Sequence, residues 1–237
     1  MVEQRPNGKS AQLYQNDDFG RDYLHGVQDV LRDRFQSMVV TATNEATDPT
    51  IDSQIVQLQA SGADVLICGV VPRFAAQAIR RVHDIGWRPM MFMTNVSVSV
   101  GVVMQPAGVE KGIGLITSDY RKDQSDPAWA QDAGMNEWRD FMRRYVPDGD
   151  LGDNNFTYGY GVGTTMIQVL RQCGNDFSRE NVMNQVRNIK PMEVATLLPG
   201  IKVQTQPDNY NVIRQMQLQR WNGQSWERFG NVIEGAG

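Results

Sequence analysis

The side chains able to do chemistry are few. His25 and His83 are the only imidazoles in 237 residues, and Cys68 and Cys173 the only thiols. Their spacing makes no zinc site, no disulfide framework and no His-based nucleophile triad. Asp17-Asp18 could serve as a paired acid and base. The pair stands between a strand and a helical pattern, however, where an aspartate caps the helix N-terminus. Tyr158-Gly159-Tyr160-Gly161-Val162-Gly163 is glycine-rich, but a dinucleotide fingerprint needs a preceding strand and different spacing. Inside a helix these glycines serve close packing. The chain has no GxxxxGK[ST] phosphate loop and no GxSxG elbow. Cys68 ends an apolar run and reads as a small core residue. Val96-Ser97-Val98-Ser99-Val100 reads either as an aggregation-prone strand or as a hydroxyl-rich loop at a ligand-binding sheet edge. No catalytic set, metal or cofactor is expected from these residues.

Composition narrows the classes further. Hydrophobic residues make up 41% and charged residues 21%, enough to bury a core. A net charge of −4, with 23 Lys and Arg scattered in nothing longer than pairs, argues against nucleic acid as a partner. No apolar run approaches the ~18 residues of a membrane span. The opening Met1–Lys9 is polar, so no signal peptide is expected in this chain.

The elements that would position a site follow from periodicity. Ser10–Gln15 is expected as a strand, and Tyr23, Leu24, Val27, Val30 and Leu31 make one stripe of a helix over about Phe19–Arg34. Gln36–Ala42 is a β-branched strand, and Asp48-Pro49 should cap and open the next helix, which Ser61-Gly62 stops. Ala63–Gly69 is apolar throughout, as in a strand buried on both faces. A helix containing Phe74–Ile85 ends at Gly86, and strands follow at Pro89–Thr94 and Gly114–Tyr120. Strand and helix alternating every 25–30 residues or so means parallel pairing with right-handed crossovers, a doubly wound α/β sheet. After a polar linker at Tyr120–Ala133, three helices follow one another at Met135–Tyr145, Asn154–Gln172 and Ser178–Asn188. Strands at Val212–Trp221 and Ser225–Val232 flank Asn222-Gly223, a hairpin signal.

Several of these segments carry a resemblance. Leu13-Tyr14-Gln15-Asn16-Asp17-Asp18-Phe19-Gly20-Arg21-Asp22-Tyr23 resembles the start of lobe two in substrate-binding proteins of branched-chain amino-acid-type ABC transporters. Asp48–Ile55, Ser61-Gly62-Ala63-Asp64, Phe74–Arg80, Asn95–Gly101, Tyr158-Gly159-Tyr160 and Gln215–Leu218 follow in matching order, over about Asn7 to Ile233. The resemblance implies a type I periplasmic binding fold, in which two α/β lobes joined by three crossovers close on a small molecule. It implies lobe two at residues 8–120, a helical segment of lobe one at 121–195, and returning strands with a hairpin at 196–237. The opening sheet of lobe one is expected to be missing, which leaves the three helices without their partner and open to self-association. By position, Phe19 matches the aromatic that leans on the ligand. Val70, Val71 and Pro72 should line the cleft, Asn95 and Ser97 occupy the loop that usually carries an acid, and Asp119 and Tyr120 lie at a crossover. The loop from Thr94 to Gln105 has no Asp or Glu, which fits a carboxylate or neutral ligand at least as well as an α-amino acid. The expected function is solute binding for an ABC permease in the periplasm, without catalysis. A ligand sensor on the same fold and an unrecognised α/β enzyme are the alternatives.

Overall fold

The computed structural model describes residues 8–235. Among these residues seven strands and eight helices follow in the order β1 (Ser10–Gln15), α1 (Asp18–Leu31), α2 (Phe35–Met38), β2 (Val39–Asn44), α3 (Asp52–Ala60), β3 (Val65–Gly69), α4 (Pro72–Asp84), β4 (Met90–Met93), α5 (Gln105–Ala107), β5 (Ile116–Asp119), α6 (Ala133–Tyr145), α7 (Asn154–Cys173), α8 (Arg179–Val186), β6 (Gln215–Trp221) and β7 (Trp226–Glu234). The strand order is β2-β1-β3-β4-β5-β6-β7. β1 pairs in parallel with β2 and β3, β3 with β4, and β4 with β5.

Two compact units share the chain. Among the described residues, those up to 117 with 219–227 form the first, and 118–218 with those from 228 on the second, so the chain passes between them three times. In the first unit, Ala11, Leu13, Leu66, Cys68, Met91 and Met93 point to one face of the sheet. There they pack with Ile55 and Leu58 of α3 and with Phe74, Ala78 and Ile79 of α4. Successive strand residues point to opposite faces. Gly69, next to Cys68, accordingly lies under Tyr23 of α1 on the other side. Helices therefore cover both faces, which makes the doubly wound α/β sheet.

Several element starts differ from expectation, among them β5 at Ile116 rather than Gly114 and β6 at Gln215 rather than Val212. Phe35 is buried and draws Phe35–Met38 into a helical turn, which delays the strand to Val39. Asp48 does not cap α3. Its Oδ2 accepts from Glu45 N at 2.9 Å and closes a turn, while fully buried Ile51 occupies the cap position. The run Val96–Val100 is no strand: Asn95–Ser97 forms a 3-10 turn and Val100–Met104 a π turn. The stretch Tyr120–Ala133 is more than a linker, because Lys122, Gln124 and Asp126 are buried and Pro127–Trp129 is a 3-10 turn.

In the second unit, helix starts are set by side-chain caps. Asp132, Asp153 and Ser178 accept from Met135 N, Asn155 N and Asn181 N, and Gly174 ends α7 with φ +61°. Trp138, expected to lack a partner, is fully buried with Met135 and Met142 against Phe156 and Tyr160. Val169 and Cys173 pack with Ile189, Leu197, Leu198 and Ile201. The outer face of α7 remains exposed at Tyr158, Val162, Met166, Ile167 and Leu170.

Candidate functional site

In parallel α/β sheets, ligands bind beyond the carboxyl ends of the strands, where the strand order reverses. In the first unit that point lies between β1 and β3, and the loops that follow β1, β3 and β4 carry the candidate residues.

The loop after β1 is fixed by Asp17. Its Oδ1 accepts from Gly20 N at 2.9 Å and its Oδ2 from Gln15 Nε2 at 2.5 Å. The Gly20 N–H, then Gln15, hold this carboxyl below the usual range, so Asp17 is a committed cap rather than an acid or base. Gly20 is required by contact: a Cβ there would stand 2.0 Å from Gln15 O. That close approach seats the first turn of α1 against the end of β1.

Phe19, half-buried, meets the Tyr23 ring edge-on with centroids 5.5 Å apart. Tyr23 lies over Gly69, where a Cβ would come within 3.0 Å of its ring. The Tyr23 hydroxyl is hydrogen-bonded to Thr94 Oγ1 and donates to Asn95 Oδ1 at 3.4 Å. Tyr23 thus links Phe19 after β1 to Asn95 after β4. Sequence reading placed it on the apolar stripe of α1. Its one legible signal was a hydroxyl four residues after Phe19, one helical turn along.

The other candidates divide by what they touch. Ser97 is fully buried, and its Oγ donates to Val70 O at 2.6 Å. Val70 is itself fully buried in the core. This pair ties the loop after β4 to the end of β3. Val71 caps α4, its carbonyl accepting from Phe74 N and Ala75 N at 3.0 and 3.1 Å, and Pro72 fills the first helical position. Both are half-buried. Cys68 is buried and its thiol is pushed up to about 12 by burial, which leaves it unreactive.

Asp119 and Tyr120 belong to the second unit. Asp119 Oδ1 accepts from Tyr120 N (2.7 Å), Arg121 N (2.9 Å) and Arg121 Nε (3.2 Å), and Oδ2 accepts from Arg121 Nη2 (3.3 Å). Burial works against the Arg121 charge, but the Asp119 carboxylate outweighs it and raises the guanidinium pKa. The same guanidinium lies 5.2 Å from the Tyr120 ring centroid. Arg121 went unnoticed in the sequence, where it was one of 23 scattered cations. Beside it the second unit holds a largely apolar cavity of about 490 Å3, lined by Tyr120, Arg121, Val162, Met166, Val169 and Leu197 among others.

Among the described residues, no group of three or more His, Cys, Asp or Glu could hold a metal ion, and no helix is long and apolar enough to cross a membrane. The arrangement offers aromatic faces, hydroxyls and an amide, suited to recognition.

Solved structures share this fold. A substrate-binding periplasmic protein from Ralstonia solanacearum superimposes with a TM-score of 0.76 at 16% identity, over 98% of this chain and 63% of that one. A branched-chain amino acid ABC transporter protein from Thermus thermophilus, with bound valine, gives 0.80 at 12% identity over 99% and 63%. A fatty acid ABC transporter substrate-binding protein from Thermomonospora curvata gives 0.68 at 16% identity over 96% and 58%. The chain therefore spans about three-fifths of the length of these structures. No curated protein matches it in sequence. The family model for periplasmic binding proteins matches residues 1–225, nearly the whole chain, and with the doubly wound sheet and its three passages between units it shows that the chain belongs to the periplasmic binding protein family.

Proposed function

We propose that this chain provides one wall of a solute site for an ABC uptake system, with the first unit as lobe two and α6, α7 and α8 as helices of the other lobe. One observation carries the reading. Phe19, Tyr23, Thr94 and Asn95 gather at the carboxyl ends of β1, β3 and β4, where this strand order places a ligand. Phe19 supplies the ring contact, and Asn95 the polar contact. Val71 and Pro72 border the site. Val70 and Ser97 support it from beneath, while Asp119 and Tyr120 belong to the second unit, where Asp119 holds Tyr120 N and Arg121. The partners are a small solute and a membrane permease, and the family's name gives the periplasm as the place. Recognition rather than bond-making is the work of the site.

The ligand class follows from charge. No carboxylate lies between Thr94 and Gln105 to meet an ammonium, so a carboxylate or neutral ligand should outrank a zwitterion. The relatives that hold valine and that serve a fatty acid transporter bracket this choice. A calorimetric screen of leucine, valine, octanoate, phenylacetate and phenylacetamide tests it. The expected result is that octanoate, phenylacetate or the amide binds most tightly and that Phe19→Ala weakens that binding. Leucine or valine as the tightest ligand would overturn the class, and binding indifferent to Phe19→Ala would overturn the site.

A further inference from the structure

The first unit has a cavity of its own, at the amino ends of its strands. It holds about 330 Å3 and is lined by residues at the end of α4, in the turn into β4 and in the segment before β5. Strand β4 begins at Met90 and β5 at Ile116. Trp87, Arg88 and Pro89 precede β4, and Glu110–Leu115 precede β5, so this cavity lies at the amino ends of strands whose carboxyl ends carry the site above.

Its walls combine apolar side chains with a few charged ones. Ile79, Val82, Trp87, Met91 and Leu115 are buried and form an apolar floor, while Ile113 stands 61% exposed at the rim. Among the charged groups, Lys111 and Asp84 satisfy each other, with Nζ 2.8 Å from Asp84 Oδ1, and His83 Nδ1 lies 3.2 Å from the same oxygen. Lys111, then His83, hold the Asp84 carboxyl below its usual range. Glu110 turns back over Gly108, its Oε1 3.0 Å from where a Cβ at that residue would stand. Arg88 differs from all of these. Its Nη1 donates to Trp87 O at 3.0 Å and His83 O at 3.3 Å, which holds the guanidinium in place. It makes no ion pair among the described residues. The result is a held fork without an ion-pair partner among the described residues, beside an apolar floor.

We propose that this cavity is a second binding site, which takes a small organic monoanion with its carboxylate on Arg88 and its apolar body over Trp87 and Ile113. A planar carboxylate matches the guanidinium geometry, and the volume lies in the range of small-molecule pockets. The site is separate from the solute site and does not depend on that assignment.

Benzoate is the probe and heteronuclear NMR of the full chain the assay, with the assigned Trp87 indole N–H and Ile113 methyl signals followed through a titration. Both signals should shift saturably. Arg88→Met should weaken the binding about ten-fold, and Arg88→Lys by less, because it keeps the charge and loses the fork. Benzamide should bind about ten-fold more weakly than benzoate. Arg88 is exposed, so both variants should fold, as unchanged dispersion elsewhere in the spectrum would show. Phe19→Ala should leave the Trp87 response intact, which separates this site from the other. No saturable shift at Trp87, or one indifferent to Arg88→Met, overturns the proposal.

Discussion

Replacing Ser97 by alanine removes one hydroxyl from a position with no exposure to solvent. That hydroxyl donates to Val70 O at 2.6 Å, and Ser97 N also donates to Thr94 O at 3.0 Å. The substitution leaves the volume nearly unchanged, so the effect reduces to a buried carbonyl deprived of its donor. An unsatisfied buried acceptor costs about 1–3 kcal/mol. The cost falls on the tie between the loop after β4 and the end of β3, so it should appear as local opening. Hydrogen exchange read by mass spectrometry across Val65–Val71 and Asn95–Met104 should accelerate by roughly five- to 150-fold. Exchange across α7 should not change, since it lies in the other unit. If Ser97 instead spends its hydroxyl on a ligand, the same substitution would weaken solute binding and leave exchange of the free protein within about two-fold of wild type. That result would refute the reasoning.

Phe19→Ala should weaken solute binding by about 1–3 kcal/mol by calorimetry while Phe19→Tyr is tolerated, because the loss is one of ring contact. Equal affinity in a folded Phe19→Ala protein removes Phe19 from the site. Lys122 Nζ donates to Asp132 Oδ1 at 2.8 Å, and the two side chains are 9% and 23% exposed. Burial works to raise the Asp132 carboxyl, but Lys122 and the Met135 N–H outweigh it and hold it below 3.8. A carboxyl lowered on folding stabilises above its unfolded value and loses that contribution as pH falls through its folded value. Lys122→Met should therefore cost about 1–3 kcal/mol at neutral pH, and the gap from wild type should narrow below about pH 3.8 in denaturant titrations. A gap unchanged down to pH 3 or so would refute the pair's role. The exposed face of α7 predicts self-association. Gly159 and Gly163 are four residues apart with open space above them, and Val162 and Met166 stand 52% and 43% exposed. A second copy's helix could approach closely there. Sedimentation should show mass rising with concentration, and Val162→Glu with Met166→Glu should abolish the rise. A monomer at every concentration refutes it.

The sheet was legible because burial on both faces writes itself into sequence without ambiguity. Ser10–Gln15 is β1 to the residue, and the apolar run Ala63–Gly69 contains β3 at Val65–Gly69. Errors fell where tertiary contact overrides local preference. Asp48 has the right chemistry for a cap, but Ile51 is drawn into the core three residues later and starts α3 there. Asn222-Gly223 suggests a two-residue turn, whereas Asn222 Oδ1 accepts from both Gln224 N and Ser225 N and spreads the turn over four residues. Trp138 looked stranded because its periodicity reveals an apolar face but not which neighbour covers it. Met135 and Met142 on its own helix, with Phe156 and Tyr160 on the next, are enough.

The sequence marks candidate positions better than it marks what each side chain does, for a physical reason. A loop at the end of a parallel strand must satisfy its own backbone before it can recognise anything, and short polar side chains are the cheapest means. Ser97 and Asp119 are the residue types a ligand site would use, yet one holds Val70 O and the other holds Tyr120 N and Arg121. The residues proposed to face a solute do not look polar. Phe19 and Tyr23 sit at helical spacing and pass for core, and only the Tyr23 hydroxyl meeting Thr94 and Asn95 shows that α1 and the loop after β4 form one surface. On the proposed reading, recognition rests on aromatic faces backed by a network whose polar members are mostly spent on the scaffold. On the same reading, the neutral loop from Thr94 to Gln105 matters more for the proposed ligand choice than any single hydroxyl. Charge acts at a distance across a cleft, whereas a hydroxyl already bonded to the backbone does not.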